Sequence, residues 1–362
     1  MLFEYPVRVV YNDVGWYLER QSMNRIICVL LCSILIGTCV GCSNSNSVAK
    51  GTGGAEASDA YTEVLVQLEA EKPLEAVLTL PKTSGKPPVV ILIHGSGPSD
   101  KDETIGENKP FADIAHGLAQ RGIASFRFDK RTYAYPDDAA DYATVQGEVL
   151  HDAAAAVQQM KNNKSVGNVY VLGHSMGGML APTIAAESAG DVTGIIMLAG
   201  TPRSLVDLMY DQNMELIESL KLLPDQAQEM IDEVNAQLNP LRTLGENDTG
   251  DYLGAPASYW ASLNAIDTAA VAEGLDIPML VMQGTDDFQV SVENDFNAWK
   301  ELLEGREGVS FKLYDGLNHL FMPTSGKRDA TEYDTASVVD PQVIEDIATF
   351  IKENEQGTQE NT

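Results

Sequence analysis

Cysteine is absent from the last 320 residues of this 362-residue chain, because all four cysteines lie within the first 42. A disulfide framework for a folded domain is therefore excluded, and so is a zinc site with cysteine ligands. Basic residues are scarce too: 24 Lys and Arg stand against 53 Asp and Glu, a formal charge of −29. Such an acidic surface disfavours nucleic acids and anionic membranes as electrostatic partners.

The N-terminal segment has the pattern of a signal peptide. From Met23 a cationic start leads into an apolar run over 26–40, which ends at Gly41-Cys42 before a tract rich in Ser and Asn. A run of about 15 residues is short for a membrane-spanning helix, which needs about 20. The junction resembles a bacterial lipoprotein signal, in which Cys42 becomes lipidated, although Cys39 stands where leucine is usual. Plain secretion and an uncleaved membrane anchor are the alternatives.

These features divide the chain into segments. We expect an extension ahead of the true start at Met23 (1–22), a signal peptide (23–41), a flexible tether (42–60), a folded core in two parts (61–203 and 265–355), a helical cap (204–264) and a disordered tail (356–362). The expected location is the bacterial cell envelope outside the cytoplasm. There the protein would be held to the membrane by an N-terminal lipid anchor, or secreted.

Short apolar runs alternate with helix-length segments after residue 60. The runs 64–68 and 76–80 predict an entry hairpin. Six further runs predict strands buried on both faces of a parallel sheet: 89–93, 123–128, 169–172, 195–198, 279–283 and 311–314. Helical segments between them include 111–121, 145–161, 176–187 and 293–304. The alternation predicts an α/β fold with a mostly parallel, doubly wound sheet, and the helical periodicity within 204–264 predicts the inserted cap.

A G-x-S-x-G sequence from Gly173 to Gly177 directly follows one predicted strand and opens a helix. In that context it predicts a nucleophile elbow, with Ser175 exposed at a sharp turn and the amide of Met176 facing a developing oxyanion. The second oxyanion-hole donor is expected in the loop after strand 89–93. There, glycines on both sides let the backbone turn inward, and we predict the amide of Ser96 as the donor.

A serine nucleophile needs a base, and in this type of fold the acid and the histidine follow the serine along the chain. His319 is the one histidine after Ser175, and it comes just after the predicted strand 311–314. The acid is expected after strand 279–283, where Asp286 and Asp287 are adjacent and spacing alone does not choose between them. In hydrolases of this pattern the acid usually falls three residues after the glycine, which favours Asp287 as the residue that orients His319.

Four stretches carry a resemblance to a known family: 93–98, 103–111, 128–132 and 173–178. On these stretches the chain resembles bacterial α/β-hydrolases of the dienelactone-hydrolase-like and bile-acid-acyltransferase C-terminal-like group, over residues 64–352. The resemblance implies the α/β-hydrolase fold. It also implies cleavage of small or medium acyl esters through an acyl-enzyme, with neither cofactor nor metal.

Other functions stay open at this point. An acyltransferase or a thioesterase could use the same three side chains, and a surface lipoprotein could have kept the fold without catalysis. The intact Ser, Asp, His order argues against the non-catalytic alternative. A small-molecule ester is the expected partner, and the sequence indicates no protein partner.

Overall fold

The computed structural model describes residues 59–138 and 143–360. The predictions made on residues 1–58, including the signal peptide, most of the tether and lipidation at Cys42, lie outside the described residues. Within the described part of the chain, no helix has both the length and the apolar character needed to cross a membrane.

In the part of the chain that the structure describes, ten strands form one large sheet and one small ribbon. Listed in chain order they are β1 (Tyr61–Leu68), β2 (Leu74–Pro81), β3 (Val89–Ile93), β4 (Ala124–Phe128), β5 (Val169–His174), β6 (Val192–Leu198), β7 (Asp251–Tyr252), β8 (Ala255–Pro256), β9 (Met279–Gly284) and β10 (Val309–Tyr314). The large sheet has the order β1-β2-β4-β3-β5-β6-β9-β10, and β7 pairs only with β8. β2 runs antiparallel to β1 and β4, and every other neighbouring pair in the large sheet is parallel. The predicted mostly parallel sheet is confirmed.

Within the described residues, ten α-helices connect and flank these strands. They are α1 (Pro110–Gln120), α2 (Arg131–Ala134), α3 (His151–Asn162), α4 (Met176–Glu187), α5 (Leu205–Ser219), α6 (Pro224–Leu238), α7 (Ala257–Asn264), α8 (Thr268–Gly274), α9 (Asn297–Leu303) and α10 (Pro341–Glu360). α1 packs on α10, whereas α4 packs on α3 and α8. Two predicted helices begin as five-residue π-helical turns, Gln146–Leu150 before α3 and Val292–Phe296 before α9. Such turns are rare in proteins and occur frequently at functional sites.

The core lies on the central strands of the large sheet. Every residue of β3, β4, β5 and β9 is buried, which is why β3 reads as a continuous apolar run and why most positions of the other three strands are apolar. The edge strand β10 alternates between half-buried and exposed positions over most of its length. Because parallel strands all point the same way, the loops that follow β3, β5, β9 and β10 meet at one edge of the sheet.

The segment 204–264 contains α5, α6 and α7 between β6 and β9. α5 begins at Ser204, whose hydroxyl accepts a hydrogen bond from the amide of Asp207. The ribbon of β7 and β8 was not predicted, because two residues per strand are too few to show a period. The side chain of Trp260 ties the ribbon to α7, since its indole N–H donates to the carbonyl oxygen of Tyr252 (2.9 Å).

The predicted disordered tail starts too early in the sequence. It was placed at 356–362, but α10 continues to Glu360, and 361–362 lie outside the described residues. The end of α10 is tied to the sheet by Glu355, whose carboxylate accepts hydrogen bonds from Asn168 (2.9 Å) and from the hydroxyl of Tyr170 (3.0 Å). Tertiary contacts therefore extend a helix that the local composition alone does not predict.

Candidate active site

Ser175 lies at a sharp turn between β5 and α4. Its backbone has φ +54° and ψ −116°, a conformation that residues other than glycine rarely adopt. The two flanking positions have no room for a side chain. A Cβ on Gly173 would come 2.0 Å from the carbonyl oxygen of Gly177, and a Cβ on Gly177 would come 2.2 Å from the carbonyl oxygen of Ile93. The turn therefore has the form predicted for a nucleophile elbow, with Ser175 partly exposed at its tip.

His319 and Asp287 meet at the same edge of the sheet, after β10 and β9. The ring Nδ1 of His319 is 2.7 Å from Oδ2 of Asp287. The other carboxylate oxygen accepts hydrogen bonds from the amides of Gln289 (2.7 Å) and Val290 (2.9 Å). Burial alone would raise the pKa of Asp287, but the adjacent His319 ring and these amides outweigh burial and lower it. Asp287 is thus held as a carboxylate that orients the ring.

The His319 ring lies next to the elbow. The ring of His174, the residue before Ser175, packs on it with centroids 4.7 Å apart, and His174 Nε2 donates to the carbonyl oxygen of His319 (2.9 Å). The loop of His319 is closed by Asn318, whose side chain accepts hydrogen bonds from two amides further along, those of Leu320 and Met322. Ser175, Asp287 and His319 are therefore brought to one edge. Within the described residues no hydrogen bond joins the Ser175 hydroxyl to the His319 ring, so that contact stays a prediction.

The loop after β3 lies directly against the elbow. A Cβ on Gly95 would stand 3.2 Å from the Cβ of Ser175. The amide of Ser96 finds no hydrogen-bond acceptor among residues 59–138 and 143–360. Met176 is the first residue of α4, so its amide has no partner within that helix. Both predicted oxyanion-hole donors are available beside Ser175, and their role stays a prediction.

His94 is the first residue of this loop, and its side chain is held by a hydrogen bond and by packing on two aromatic rings. Its Nε2 is 2.9 Å from the carbonyl oxygen of Asp100, and its ring packs on those of Phe111 and Phe128. Burial lowers the pKa of His94 to about 4, against the opposing effect of the Glu103 carboxylate. The ring is therefore neutral at neutral pH, as suits a packing residue more than a proton carrier.

One side chain of the 204–264 segment reaches the site. The hydroxyl of Tyr259, on α7, points at the sulfur of Met176 (3.6 Å). Burial, followed by the neighbouring Glu148 carboxylate, raises the pKa of Tyr259 well above its ordinary value. Tyr259 therefore places a half-buried, neutral phenol over the residue next to Ser175.

Sequence reasoning missed a further contact to the acid. Gln283, at the end of β9, donates from Nε2 to Oδ2 of Asp287 (2.8 Å) and to the carbonyl oxygen of Val290 (2.9 Å). The available signal was a single polar residue at the end of an otherwise apolar strand. Within the described residues, no group of three or more His, Cys, Asp or Glu side chains has the arrangement of a metal site.

This arrangement of strands and loops also occurs in known proteins. Est1E from Butyrivibrio proteoclasticus matches with a TM-score of 0.51 at 19% identity, over 81% of this chain and 99% of that one. The esterase Pf2001 of Pyrococcus furiosus matches with a TM-score of 0.50 at 14% identity, over 81% and 93%. Residues 88–236 match the family model described as serine aminopeptidase, S33. The chain has the α/β-hydrolase fold.

A protein named as an esterase is similar in sequence as well. Esterase EstD of Thermotoga maritima is 42% identical over 281 residues, which are 77% of this chain. The chain spans 65% of the length of that relative. In this chain the site thus combines a strained serine, a buried carboxylate–imidazole pair and two backbone donors, an arrangement suited to acyl transfer.

Proposed function

We propose that this chain is a serine carboxylesterase that hydrolyses esters of small or medium acyl groups through an acyl-enzyme. The contact between His319 and Asp287, beside the Ser175 elbow, is the observation that carries the proposal. The 42% identity to a protein named as an esterase supports the same reaction. The proposal covers the function of the whole protein and the roles of the individual residues.

Each residue has one role in this reaction. The Ser175 oxygen forms a bond to the ester carbonyl carbon while His319 takes its proton, and the amides of Ser96 and Met176 stabilise the oxyanion. The C–O bond to the alcohol then breaks, and His319 returns the proton to the departing alcohol. Water, activated by the same ring, hydrolyses the acyl-enzyme and regenerates the Ser175 hydroxyl. Asp287 holds the ring in the required tautomer and stabilises the imidazolium.

The first test uses the purified full-length chain with p-nitrophenyl acetate and p-nitrophenyl butyrate. We expect hydrolysis of both, abolished in Ser175→Ala, together with covalent labelling by a fluorophosphonate that maps to the peptide containing Ser175. Undiminished hydrolysis by Ser175→Ala would refute the assignment. A series of acyl lengths then gives the substrate range, and partition of the acyl group to an added alcohol or thiol distinguishes an acyltransferase.

We also propose that the enzyme is anchored in the bacterial cell envelope by a lipid on Cys42. The support is the apolar run over 26–40 followed by Gly41-Cys42 and a Ser/Asn-rich tract. Metabolic labelling with an alkynyl fatty acid should mark the wild-type protein and Cys39→Ser, but not Cys42→Ser. Labelling that persists in Cys42→Ser and disappears in Cys39→Ser would place the lipid at the other cysteine.

A further inference from the structure

Two buried charged side chains hold the peptide groups of Gly95 from opposite sides. The amide of Gly95 donates to Oε1 of Glu103 (2.8 Å), and its carbonyl oxygen accepts from Nζ of Lys130 (2.9 Å). Both side chains are almost fully buried, and the proposed reaction uses neither of them directly. We call Glu103 and Lys130 the Gly95 clamp.

The Gly95 clamp fixes the direction of the Ser96 amide. The peptide bond between Gly95 and Ser96 is trans, so the N–H of Ser96 points away from the carbonyl oxygen that Lys130 holds. That N–H has no acceptor among the described residues, and it lies in a loop packed on Ser175. Rotation of this peptide would turn the donor away from the reacting carbonyl, and the ammonium group of Lys130 opposes such a rotation.

The clamp is costly to build. Glu103 has φ +53°, in the left-handed region that a residue with a Cβ adopts at an energetic cost. Two charged groups have also been removed from water, which destabilises a fold unless each charge is paired. Lys130 is paired with Glu148 (2.8 Å), which lies in the π-helical turn before α3. The strained backbone of Glu103 and the buried charges of Glu103 and Lys130 thus all lie around the loop that carries a predicted oxyanion donor.

The Glu103 carboxylate also faces His174. Nδ1 of His174 lies 3.0 Å from Oε2 of Glu103, an ion-pair distance at which the two groups are poorly aligned for a hydrogen bond. Nε2 of the same ring faces the carbonyl oxygen of His319, which can only accept, so Nε2 carries a proton. Burial would lower the pKa of His174, but the Glu103 carboxylate and the His319 carbonyl together raise it. An imidazolium at this position connects the loop of Gly95 to the loop of His319.

We propose that Glu103 and Lys130 are positioning residues for the oxyanion hole, and that protonated His174 couples the Gly95 clamp to the backbone of His319. The proposal rests on the esterase function proposed above. It goes beyond the serine, histidine and aspartate, because it assigns a role to three buried ionisable groups behind them. None of the three is a catalytic residue in the sense of touching the ester.

The chain contains a matched control for Lys130. Arg131 is the next residue, and it forms an equally buried ion pair with Asp152 (2.6 Å), four residues after Glu148. Lys130→Met and Arg131→Met therefore each remove the buried cation of one ion pair, and both ion pairs join the same two segments of the chain. Of the two cations, only Lys130 contacts Gly95. Both variants should be destabilised. The concentration of active sites is titrated with fluorophosphonate, and kcat is calculated from it. We expect kcat of Lys130→Met to fall about 100-fold with KM little changed, and kcat of Arg131→Met to equal that of wild type.

Affinity for butylboronic acid, which forms a tetrahedral adduct with an active-site serine, gives a second readout. The inhibition constant should rise in Lys130→Met in parallel with the loss of kcat/KM, and should not rise in Arg131→Met. Equal kcat and equal boronate affinity in the two variants would overturn the positioning role. Ester hydrolysis by the wild-type chain is scored separately, so that this result would leave the proposed esterase function intact.

Glu103 supplies an independent comparison in case Lys130→Met does not fold. Glu103→Gln keeps an oxygen that can accept from the Gly95 amide but loses the charge that faces His174, whereas Glu103→Met loses both. We expect kcat to fall in the order wild type, Glu103→Gln, Glu103→Met, with the larger step at Glu103→Met. A wild-type kcat in folded Glu103→Met would overturn the proposal.

Discussion

The carboxylate of Asp287 lies 2.7 Å from the ring nitrogen Nδ1 of His319, and both side chains are buried. Asp286, one residue earlier, is half-buried, and its amide donates to the carbonyl oxygen of Leu317 in the loop after β10. The two neighbouring carboxylates, which spacing alone could not separate, therefore have different surroundings. The difference makes a paired substitution informative.

Asp287→Asn should lower kcat by about 10³- to 10⁴-fold, a magnitude taken from serine proteases in which the equivalent exchange leaves the histidine in the wrong tautomer. Asp286→Asn should stay within about threefold of wild type, as a surface-side substitution outside the reacting groups does. Steady-state kinetics on p-nitrophenyl butyrate measure both variants. A loss in Asp286→Asn as large as that in Asp287→Asn would reassign the acid.

Gln283 offers a test of how the acid is held. Its side-chain amide donates to Asp287 and to the carbonyl oxygen of Val290, so Gln283→Leu leaves two buried acceptors short of a partner. We expect about 2 kcal/mol of lost stability and a lower kcat, since an unsatisfied buried polar group costs about 1–3 kcal/mol. Urea unfolding and kinetics measure the two effects.

Gln289→Ala is the matched control for this substitution. The side chain of Gln289 contacts the hydroxyl of Tyr333, while its contact to Asp287 is made by the backbone amide and survives the exchange. An equal fall of kcat in Gln289→Ala and Gln283→Leu would mean that Gln283→Leu acts by disturbing the loop after β9 as a whole, and not through its hydrogen bond to Asp287.

Much of the fold and part of the candidate site could be predicted because they leave local signals. Strands buried on both faces appear as apolar runs, and all eight strands of the large sheet overlap a predicted run. The bend at Ser175 requires residues without a Cβ on both sides, so Gly173 and Gly177 mark it in the sequence. His319 needed only the count of histidines after Ser175.

The Gly95 clamp could not be predicted from the same signals. Glu103 and Lys130 contact Gly95 and His174 across separations of 8 to 71 positions, within loops that show no periodicity. Charged residues are usually expected at the surface, and burial of a charge becomes visible only when its partner is brought to it by the fold. The two π-helical turns escaped prediction as well, since a single turn of five residues is too short to show its own period in the sequence.

The pair of Glu103 and His174 should make stability depend on pH. The pKa of His174 is raised from its ordinary 6.5, so its stabilising contribution is complete below about pH 6.5 and is lost as pH rises through the raised value. The pKa of Glu103 is lowered from 4.5, because His174, His94 and the Gly95 amide together outweigh burial, which would raise it. Its contribution is complete above about pH 4.5 and is lost as pH falls through the lowered value.

The difference in unfolding free energy between wild type and Glu103→Gln should therefore be largest between about pH 4.5 and 6.5, at about 3 kcal/mol. It should shrink above that range as His174 loses its proton. Urea titrations across pH measure it. Glu345→Gln removes an exposed ion pair with Arg121 and should change stability by less than about 1 kcal/mol throughout. A difference that stays constant with pH would show that the pair is not ionised as described.

The nucleophile elbow packs tightly against the end of β3. A Cβ on Gly177 would overlap the carbonyl oxygen of Ile93 at 2.2 Å, and backbone on both sides prevents either group from moving aside. Gly177→Ala should thus cost more than about 3 kcal/mol or prevent folding, as overpacking against rigid backbone does. Gly274→Ala, at the end of α8 with open space around it, should be neutral or stabilising by up to about 1 kcal/mol. Thermal and urea unfolding of both variants measure the contrast, and a Gly177→Ala protein as stable and as active as wild type would mean that the elbow is less tightly packed than described.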